Sequence, residues 1–237
     1  MAFTFTPPRR YDVFLTFRGK DTREGFTERL YQKLRWHNLM VFKDDEVPER
    51  GMPISEKLLT AIEDSKTAII VMSPNFASST WCLDELLKIL ECMQARKAVF
   101  PVFYDVDPFH VRYQLGTFAE TFKKHELRIK EDLPKVHLWR DALTTLTNFV
   151  GWTSKDYGLE AELIDGIVEL MQSELYPTLT LSGSTEKLVG RDSQLRNFIA
   201  VLEPEAEDAR LLGIDGGDGI GKTTLARLVY ERVSHNF

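Results

Sequence analysis

The sequence has little cysteine. Its 237 residues include two cysteines, Cys82 and Cys92. Both fall on one predicted helix, roughly 15 Å apart along its axis, which is too far for a disulfide bond. A disulfide-stapled secreted protein is therefore disfavoured, and we expect the chain to work in a reducing compartment, the cytosol or the nucleus.

Long apolar runs and an excess of basic residues are also lacking. No stretch approaches the ~20 apolar residues of a membrane span, and the first ten residues lack the apolar core of a signal peptide. The net charge of −6 argues against a protein that coats nucleic acid. The one local group of basic residues is better explained as a solvated helix face: Lys123, Lys124, Arg128 and Lys130. We expect neither a membrane nor a nucleic acid as partner.

The usual patterns of metal sites and nucleophilic enzymes are missing too. None of the histidines has ligand spacing with the cysteines: His37, His110, His125, His137 and His235. We therefore predict no metal site. There is no nucleophile-elbow pattern and no internal repeat. What remains is an ordinary globular composition, 43% hydrophobic and 28% charged, which suits one well-filled domain plus a remainder.

Strand and helix patterns alternate along most of the chain. Strands are predicted at 11–17, 40–42, 67–72, 98–104 and 149–152, and helices at 21–37, 54–64, 118–127, 135–147 and 159–175. A further helix is predicted to follow one of three cap candidates, Ser78, Ser79 or Thr80, and to reach Cys92. The residues expected to face inward on the helices are Phe26, Leu30, Leu34, Leu83, Leu86, Leu87, Leu90, Leu138, Leu143, Leu146, Leu163, Ile167, Leu170 and Met171. This alternation predicts an α/β fold, a parallel sheet with helices on both faces and right-handed crossovers. Pro101 is awkward inside a central strand.

The helix after the third strand carries Trp81 and Glu85, four residues apart and opposite its leucines. Two interpretations of Glu85 remain open: a solvated carboxylate on an amphipathic helix, or a functional carboxylate beside Trp81. A tryptophan in that position roofs a crevice or covers a neighbouring segment. The positive end of the helix favours an ionised carboxylate, so we expect Glu85 to stabilise a cation rather than donate a proton.

Four motifs occur in the order typical of the TIR domains of plant intracellular immune receptors, which the chain resembles over roughly residues 9–175. They are DVFLTFRGKDTR (12–23), GMPIS (51–55), SSTWCLDEL (78–86) and PVFYDVDP (101–108). The resemblance implies a flavodoxin-like sheet of five parallel strands in the order 2-1-3-4-5. In such a sheet ligands bind where the strand order reverses, at the carboxyl ends of strands one and three.

The resemblance also implies an enzyme of plant innate immunity, an NAD⁺ glycohydrolase that cuts the nicotinamide–ribose bond of NAD⁺ or NADP⁺ without a further cofactor. Glu85 is then the catalytic carboxylate. The implied substrate-binding residues are Phe17, Arg18, Gly19, Ser79 and Trp81. Trp81 would stack on the nucleotide, Ser79 would donate a hydrogen bond, and Arg18 would hold phosphate or orient the carboxylate.

Other interpretations stay open for two of these features. Arg18 and Gly19 also fit a tight turn with a solvated arginine. In this family Cys82 is associated with nuclease or cyclic-nucleotide activity, but a buried cysteine in a helix turn is the better interpretation. For the whole domain, the alternative function is a signalling adaptor without catalysis, which acts by association of like domains.

The resemblance further implies weak self-association that completes the site and activates the enzyme. The loop 43–53 would contact a neighbour or close over the nucleotide. On the first helix Glu28 and Arg29 stand where the family typically has Ser-His. Two arrangements of a charged contact between copies remain open: Glu28 pairs with the partner's Arg29, which salt would weaken, or like charges face each other, which salt would tighten. We favour pairing and expect weak, salt-sensitive self-association.

Residues 176–187 are interpreted as a linker, and residues 188–237 resemble the truncated start of a P-loop nucleotide-binding domain. The P-loop residues are Gly216, Gly221, Lys222, Thr223 and Thr224. They follow a predicted strand and precede a predicted helix, where backbone amides and the lysine suit phosphate oxygens. Asp218 replaces an expected glycine and adds negative charge. We expect ATP or ADP binding only with the full nucleotide-binding domain.

Overall fold

The computed structural model describes residues 9–43, 55–176, 213–217 and 221–233. The chain divides into two compact units, one spanning Arg9–Leu179 and a second that includes Thr180–Phe237. The strands of the first unit are β1 (Tyr11–Phe17), β2 (Val41–Lys43), β3 (Ser65–Met72), β4 (Val99–Phe103) and β5 (Trp152–Thr153). Its helices are α1 (Gly19–Thr22), α2 (Glu28–Trp36), α3 (Glu56–Glu63), α4 (Thr80–Met93), α5 (Pro108–Arg112), α6 (Thr117–Arg128), α7 (Leu133–Leu146) and α8 (Glu160–Leu175). The second unit contains α9 (Lys222–Val233).

The five strands form one parallel sheet in the order β2-β1-β3-β4-β5. The predicted flavodoxin-like order is therefore confirmed. Pro101 lies in β4, in register with Ile70 of β3, while β5 pairs only with Val102 and Phe103. Gly151, just before β5, packs against this proline, because a Cβ there would lie 2.2 Å from the Pro101 carbonyl oxygen. The fifth strand therefore starts later than predicted.

Helices cover both faces of the sheet. One hydrophobic core joins α2 and α8 to the face that carries Val13 and Leu15 of β1. The other core joins α3, α4, α6 and α7 to the face that carries Phe14. Because successive strand residues point to opposite faces, Thr16 shares its face with Phe14 and is directed towards α4.

The first predicted helix is interrupted. A π-helical turn, Arg23–Thr27, separates α1 from α2, and Gly25 within it has the non-helical angles φ −118° and ψ −112°. Glycine adopts such a conformation readily because it lacks a Cβ atom. The Thr27 hydroxyl donates to Thr22 Oγ1 at 2.8 Å across the turn. The prediction of a single helix over 21–37 was therefore wrong in this region.

Three of the residues predicted to face inward differ in the structure. Leu138 on α7 is exposed, whereas its neighbour Trp139 is fully buried. Trp139 shares one helical row with Val136 and Leu143, so it takes the inward position that was predicted for Leu138. Leu87 and Leu170 are partly buried against the two cores. The other predicted inward residues are buried.

A polar network ties the amino ends of the strands to the end of α8. Asp12 on β1 accepts hydrogen bonds from the Met40 backbone amide at 2.8 Å and from Lys66 Nζ at 3.0 Å. Tyr176, predicted as the first linker residue, is buried and donates its hydroxyl to Asp12 Oδ1 at 2.8 Å. The domain thus holds Tyr176 as part of its core.

Several predicted features lie outside the described residues. These are the loop 44–53, the motif 51–54, the linker after 176, the segment 188–195 and Asp218. They stay predictions.

Candidate active site

The carboxyl ends of β1 and β3 meet where the strand order reverses, because β1 continues to β2 on one side and β3 to β4 on the other. β1 ends at Phe17, and β3 ends at Met72. The loop after β3 leads into the amino end of α4. The predicted site residues of the first unit lie at or just after the end of β1 and at the start of α4, which is the usual ligand position in such sheets.

The start of α4 is fixed by its own cap and by α6. Ser79 is the cap residue, and its Oγ accepts a hydrogen bond from the Cys82 amide at 3.3 Å. The turn before it is held by the buried His125, whose Nε2 lies 2.8 Å from the Ala77 carbonyl oxygen. Thr117 donates to the Pro74 carbonyl oxygen at 2.6 Å. Because these bonds come from a packed helix, the position of Trp81 and Glu85 is well defined.

Glu85 is not solvated. Its side chain is 1% exposed, and it accepts hydrogen bonds from Thr16 Oγ1 at 2.6 Å and from Trp81 Nε1 at 3.0 Å. The two bonds use different carboxylate oxygens. The interpretation of Glu85 as a solvated carboxylate was therefore wrong. Cys82 and Ile89 lie three residues before and four residues after it, and they extend the buried face of α4 beyond the leucines.

Thr16 is the donor that the sequence did not reveal. It is fully buried on β1, 69 positions away from Glu85 in the chain. Strand alternation could have placed its side chain on the face covered by α4. The hydrogen bond between Thr16 and Glu85 depends on how far the start of α4 extends over the end of β1. No local sequence pattern predicts this.

A second polar group lies at the same strand ends. Arg18 forms an ion pair with Asp21 through Nη1 and Oδ1. The other carboxylate oxygen of Asp21 accepts a hydrogen bond from Ser73 Oγ at 2.5 Å. Arg18 is half-buried, so the alternative of a simply solvated arginine does not hold. Neither Asp21 nor Ser73 was predicted as a site residue. Asp21 lies in the motif 12–23, and Ser73 directly follows β3.

Phe17 and Gly19 line the turn that carries Arg18. The Arg23 guanidinium lies over the Phe17 ring, 5.4 Å from its centroid. A Cβ on Gly19 would come within 2.9 Å of that guanidinium, so glycine permits this close approach. Cys82 is buried, with Sγ 3.7 Å from the Phe17 carbonyl oxygen, which agrees with a cysteine packed in a helix turn.

A concave region of about 180 Å³ opens beside the end of β4. It is lined by Tyr104, Asp105, Ser154, Lys155, Glu160 and Leu163. Glu160 accepts hydrogen bonds from the Tyr104 hydroxyl at 2.8 Å and from Arg29 Nε at 2.6 Å. Burial, together with the bond to Glu160, raises the pKa of Tyr104 to about 12.

The charges expected to join two copies have partners within the chain. Lys43 Nζ donates to Glu28 Oε2 at 2.6 Å, and this bond holds the pKa of Glu28 below its usual range. Arg29 is paired with Glu160. A contact between copies through Glu28 and Arg29 would therefore exchange ion pairs rather than create new ones.

The predicted P-loop residues belong to the second unit. Lys222 is the first residue of α9, which agrees with the predicted helix. Its Nζ donates to the carbonyl oxygens of Gly216 at 2.7 Å and Gly217 at 2.6 Å, so the chain wraps around the lysine. Gly221 has φ +85°, a conformation that favours glycine. Thr223 is exposed, and Thr224 follows it on α9. Residues 213–217 lie outside any helix or strand.

Among the described residues, no helix is both long and apolar enough to cross a membrane. Within the same ranges, no group of three or more histidine, cysteine or acidic side chains is arranged to hold a metal ion.

Comparisons with known proteins identify the family to which the chain is similar. A family model described as the TIR domain matches residues 10–191. The chain is similar to "Disease resistance protein RUN1" of Vitis rotundifolia, with 44% identity over 231 residues, 96% of the chain and 17% of the relative. It is also 42% identical to "TMV resistance protein N" of Nicotiana glutinosa over 222 residues, 93% of the chain and 19% of the relative. The chain thus spans less than a fifth of these relatives.

A solved structure shares the fold. The TIR domains of the activated Roq1 resistosome, which directly recognizes the pathogen effector XopQ, match with a TM-score of 0.62 and 44% sequence identity. The match covers 68% of this chain and 99% of that one.

Proposed function

The chain belongs to the TIR domain family, and on that premise we propose that it is the TIR portion of a plant immune receptor that cleaves NAD⁺ at Glu85. The observation that supports this proposal is a carboxylate at the ligand end of the sheet, backed by a tryptophan and positioned by buried hydrogen bonds. The reaction releases nicotinamide and leaves ADP-ribose. The proposed place of action is the cytoplasm or nucleus of a plant cell.

The chemistry requires one carboxylate and no metal. The bond between the ribose C1′ and the pyridinium nitrogen breaks, and its electron pair leaves with neutral nicotinamide. Positive charge develops on the ribose, and water then adds to C1′ and releases a proton. An ionised Glu85 stabilises the developing charge, and it could hold a ribose hydroxyl. NADP⁺ carries the same reacting bond and is an equally suitable substrate.

Glu85 is buried, so substrate must reach it through Trp81. Oε1 of Glu85 accepts from the Trp81 indole N–H, and Trp81 is itself only partly buried. A ribose hydroxyl can replace the indole as the donor to Oε1 while Thr16 keeps its bond to Oε2. The indole, once displaced, is available to stack on the nucleotide.

The remaining predicted residues surround this position. Arg18 would bind the pyrophosphate, since a guanidinium suits phosphate oxygens. Ser79 would cap α4 and also bind substrate, because a hydroxyl that accepts one hydrogen bond still carries a proton to donate. Phe17 and Gly19 would line the approach.

The test is nicotinamide release by the purified chain and by Glu85→Gln. Glutamine has the same shape, can accept from Trp81 and can donate to the Thr16 hydroxyl, so the fold should persist. Without the negative charge, we expect the rate to fall about 100-fold or more. Circular dichroism and thermal unfolding would confirm that the variant is folded.

The matched control is Glu160→Gln, which changes in the same way a glutamate that lines the concave region beside the end of β4. We expect this variant to release nicotinamide at close to the wild-type rate. If Glu85→Gln were as active as the wild type, or if both variants lost activity equally, Glu85 would not be the catalytic carboxylate.

A signalling adaptor without catalysis is the second candidate. The burial of Glu85 favours it, because a carboxylate bonded to Thr16 and Trp81 can simply join α4 to β1. The adaptor predicts no nicotinamide release by the wild type at any protein concentration. It also predicts that Glu85→Gln still signals in plant tissue when joined to the rest of a receptor.

Either function involves association of TIR domains, which we infer from the resistosome relative. If assembly completes the site, specific activity should rise with protein concentration. Because Glu28 and Arg29 are engaged within the chain, added salt should weaken this association only slightly. A monomer by light scattering with constant specific activity would exclude activation by assembly.

A further inference from the structure

Arg18 is held at the end of β1 by a short chain of polar contacts that begins on β3. We propose that Asp21 and Ser73 are positioning residues that fix the Arg18 guanidinium for the pyrophosphate of a dinucleotide substrate. This inference rests on the proposed function of the same site. It assigns a role to Asp21, which contacts Arg18, and to Ser73, which contacts Asp21.

The first observation is the geometry of the Asp21 carboxylate. Oδ1 contacts Arg18 Nη1, and Oδ2 accepts from Ser73 Oγ at 2.5 Å. A carboxylate bound through both oxygens cannot rotate without breaking a contact. Its orientation therefore determines where the guanidinium lies.

The second observation is the burial of the anchor. Ser73 is 1% exposed and directly follows β3, the central strand of the sheet. Asp21 and Arg18 have side-chain exposures of only 13% and 21%. Exposed ion pairs between neighbouring residues contribute little because solvent and side-chain motion compete with them. Here a buried hydroxyl on the sheet keeps the pair in one arrangement.

The third observation concerns the donors of Arg18. A guanidinium has five N–H groups, and the contact with Asp21 is made through Nη1 alone. The planar fork can therefore bind phosphate oxygens while Asp21 still holds it. Arg18 directly follows the last residue of β1, the strand end at which the Phe17 carbonyl oxygen contacts Cys82 Sγ of α4.

An opposite effect of Asp21 is conceivable on the same geometry. As a carboxylate on Arg18, it could compete with phosphate and thereby act as an internal inhibitor. Removing its charge would then tighten the binding of an anionic ligand. A positioning residue predicts weaker binding, so the sign of the effect decides between the two.

The experiment measures ADP-ribose binding by titration calorimetry for the wild type, Asp21→Asn and Ser73→Ala. ADP-ribose contains the pyrophosphate but lacks the bond that is cleaved. We expect the Kd to rise about tenfold in Asp21→Asn and about threefold in Ser73→Ala. Glu24→Gln, at an exposed acidic residue of the same turn, should leave the Kd unchanged.

A double-mutant cycle with Arg18→Ala separates positioning from a general effect on the fold. If Asp21 acts through Arg18, Asp21→Asn should add almost nothing to the loss caused by Arg18→Ala. For nicotinamide release, the two positioning variants should raise KM and leave kcat nearly unchanged.

Several outcomes would overturn the inference. They are tighter binding by Asp21→Asn, additive losses in the cycle, or no ADP-ribose binding by the wild type. Wild-type ADP-ribose binding with the expected variant effects but no nicotinamide release would instead reject the proposed NAD⁺ cleavage and keep the positioning role. The two failures are therefore distinguishable.

Discussion

Two glutamates lie at the carboxyl edge of the sheet, and each accepts a hydrogen bond from an aromatic side chain. Glu85 accepts from the Trp81 indole at 3.0 Å and from the uncharged Thr16 hydroxyl. Glu160 accepts from the Tyr104 hydroxyl at 2.8 Å and from the charged Arg29. Glu85 is 1% exposed, whereas the Glu160 side chain is 28% exposed.

This difference distinguishes a candidate catalytic carboxylate, Glu85, from a carboxylate that forms a surface ion pair, Glu160. Glu160 neutralises the charge of Arg29 and connects α2 to α8 on the outside of the sheet. Glu85 accepts hydrogen bonds from the neutral Thr16 hydroxyl and Trp81 indole at the topological switch between β1 and β3. A carboxylate kept away from bulk water exerts a stronger electrostatic effect on a developing positive charge than one at the surface. A hydrogen bond from an aromatic side chain does not by itself indicate a catalytic carboxylate. The burial of the carboxylate and its position at the switch between β1 and β3 do.

The largest expected effect on stability is that of Glu85→Ala. This change leaves the Thr16 hydroxyl and the Trp81 indole without their acceptor and opens a cavity, so we expect a loss of about 3–4 kcal/mol in the free energy of unfolding. Urea denaturation measures it. An exposed glutamate would cost less than about 0.5 kcal/mol, and such a value would contradict the buried position.

Thr16→Val should come next. Valine keeps the volume but removes a donor to a buried carboxylate, which is expected to cost about 1.5–2.5 kcal/mol. Thr16→Ser keeps the hydroxyl and is the matched control. Equal destabilisation by serine and valine would mean that packing, and not the bond to Glu85, accounts for the loss.

For Glu160→Gln we expect only about 0.5–1 kcal/mol, because its partner Arg29 is 59% exposed. The difference between this variant and the wild type should shrink in high salt. A loss as large as that of Glu85→Ala would erase the distinction between the two glutamates.

The last prediction concerns Tyr104 and applies only in alkali. Tyr104 ionises near its usual pKa of 10.0 in the unfolded chain but at about 12 in the folded domain. Its neutral form therefore stabilises the fold fully below pH 10, and this contribution is lost as the pH rises towards 12. Tyr104→Phe cannot ionise, so it should lose stability less steeply over that interval. Parallel curves in pH-dependent denaturation would contradict the raised pKa.

The sequence was sufficient for most of the fold, because the buried central strands are continuous apolar runs and the helices have regular stripes. It failed where a single residue overrides the pattern. Gly25 breaks the predicted first helix. On α7, Trp139 is buried in place of its neighbour Leu138, because either of the two adjacent residues could face the core. Local periodicity cannot separate such neighbouring rows when both contain large apolar residues.

For the candidate site, the sequence placed the residues but not their contacts. Glu85, Trp81 and Arg18 were assigned to the strand ends and α4, where the structure has them. The burial of Glu85 could not be predicted, since it depends on Thr16, a partner 69 positions away. Asp21 was missed for a related reason: its importance comes from Ser73, which lies 52 positions away and directly follows β3. Long-range partners of this kind follow only from the folded arrangement.

The outer strands of the sheet have a consequence for how copies of the domain can meet. β2 has three residues and β5 has two, and β5 is kept short by Pro101 and by the tight packing of Gly151 against it. A strand edge must offer several free backbone groups in a row to recruit another chain as an additional strand. Within the described residues these two strands offer too few, so pairing of copies through them is disfavoured. We therefore expect an ordered array of these domains to be held together by side chains of helices and loops, which can separate again when the array is no longer needed.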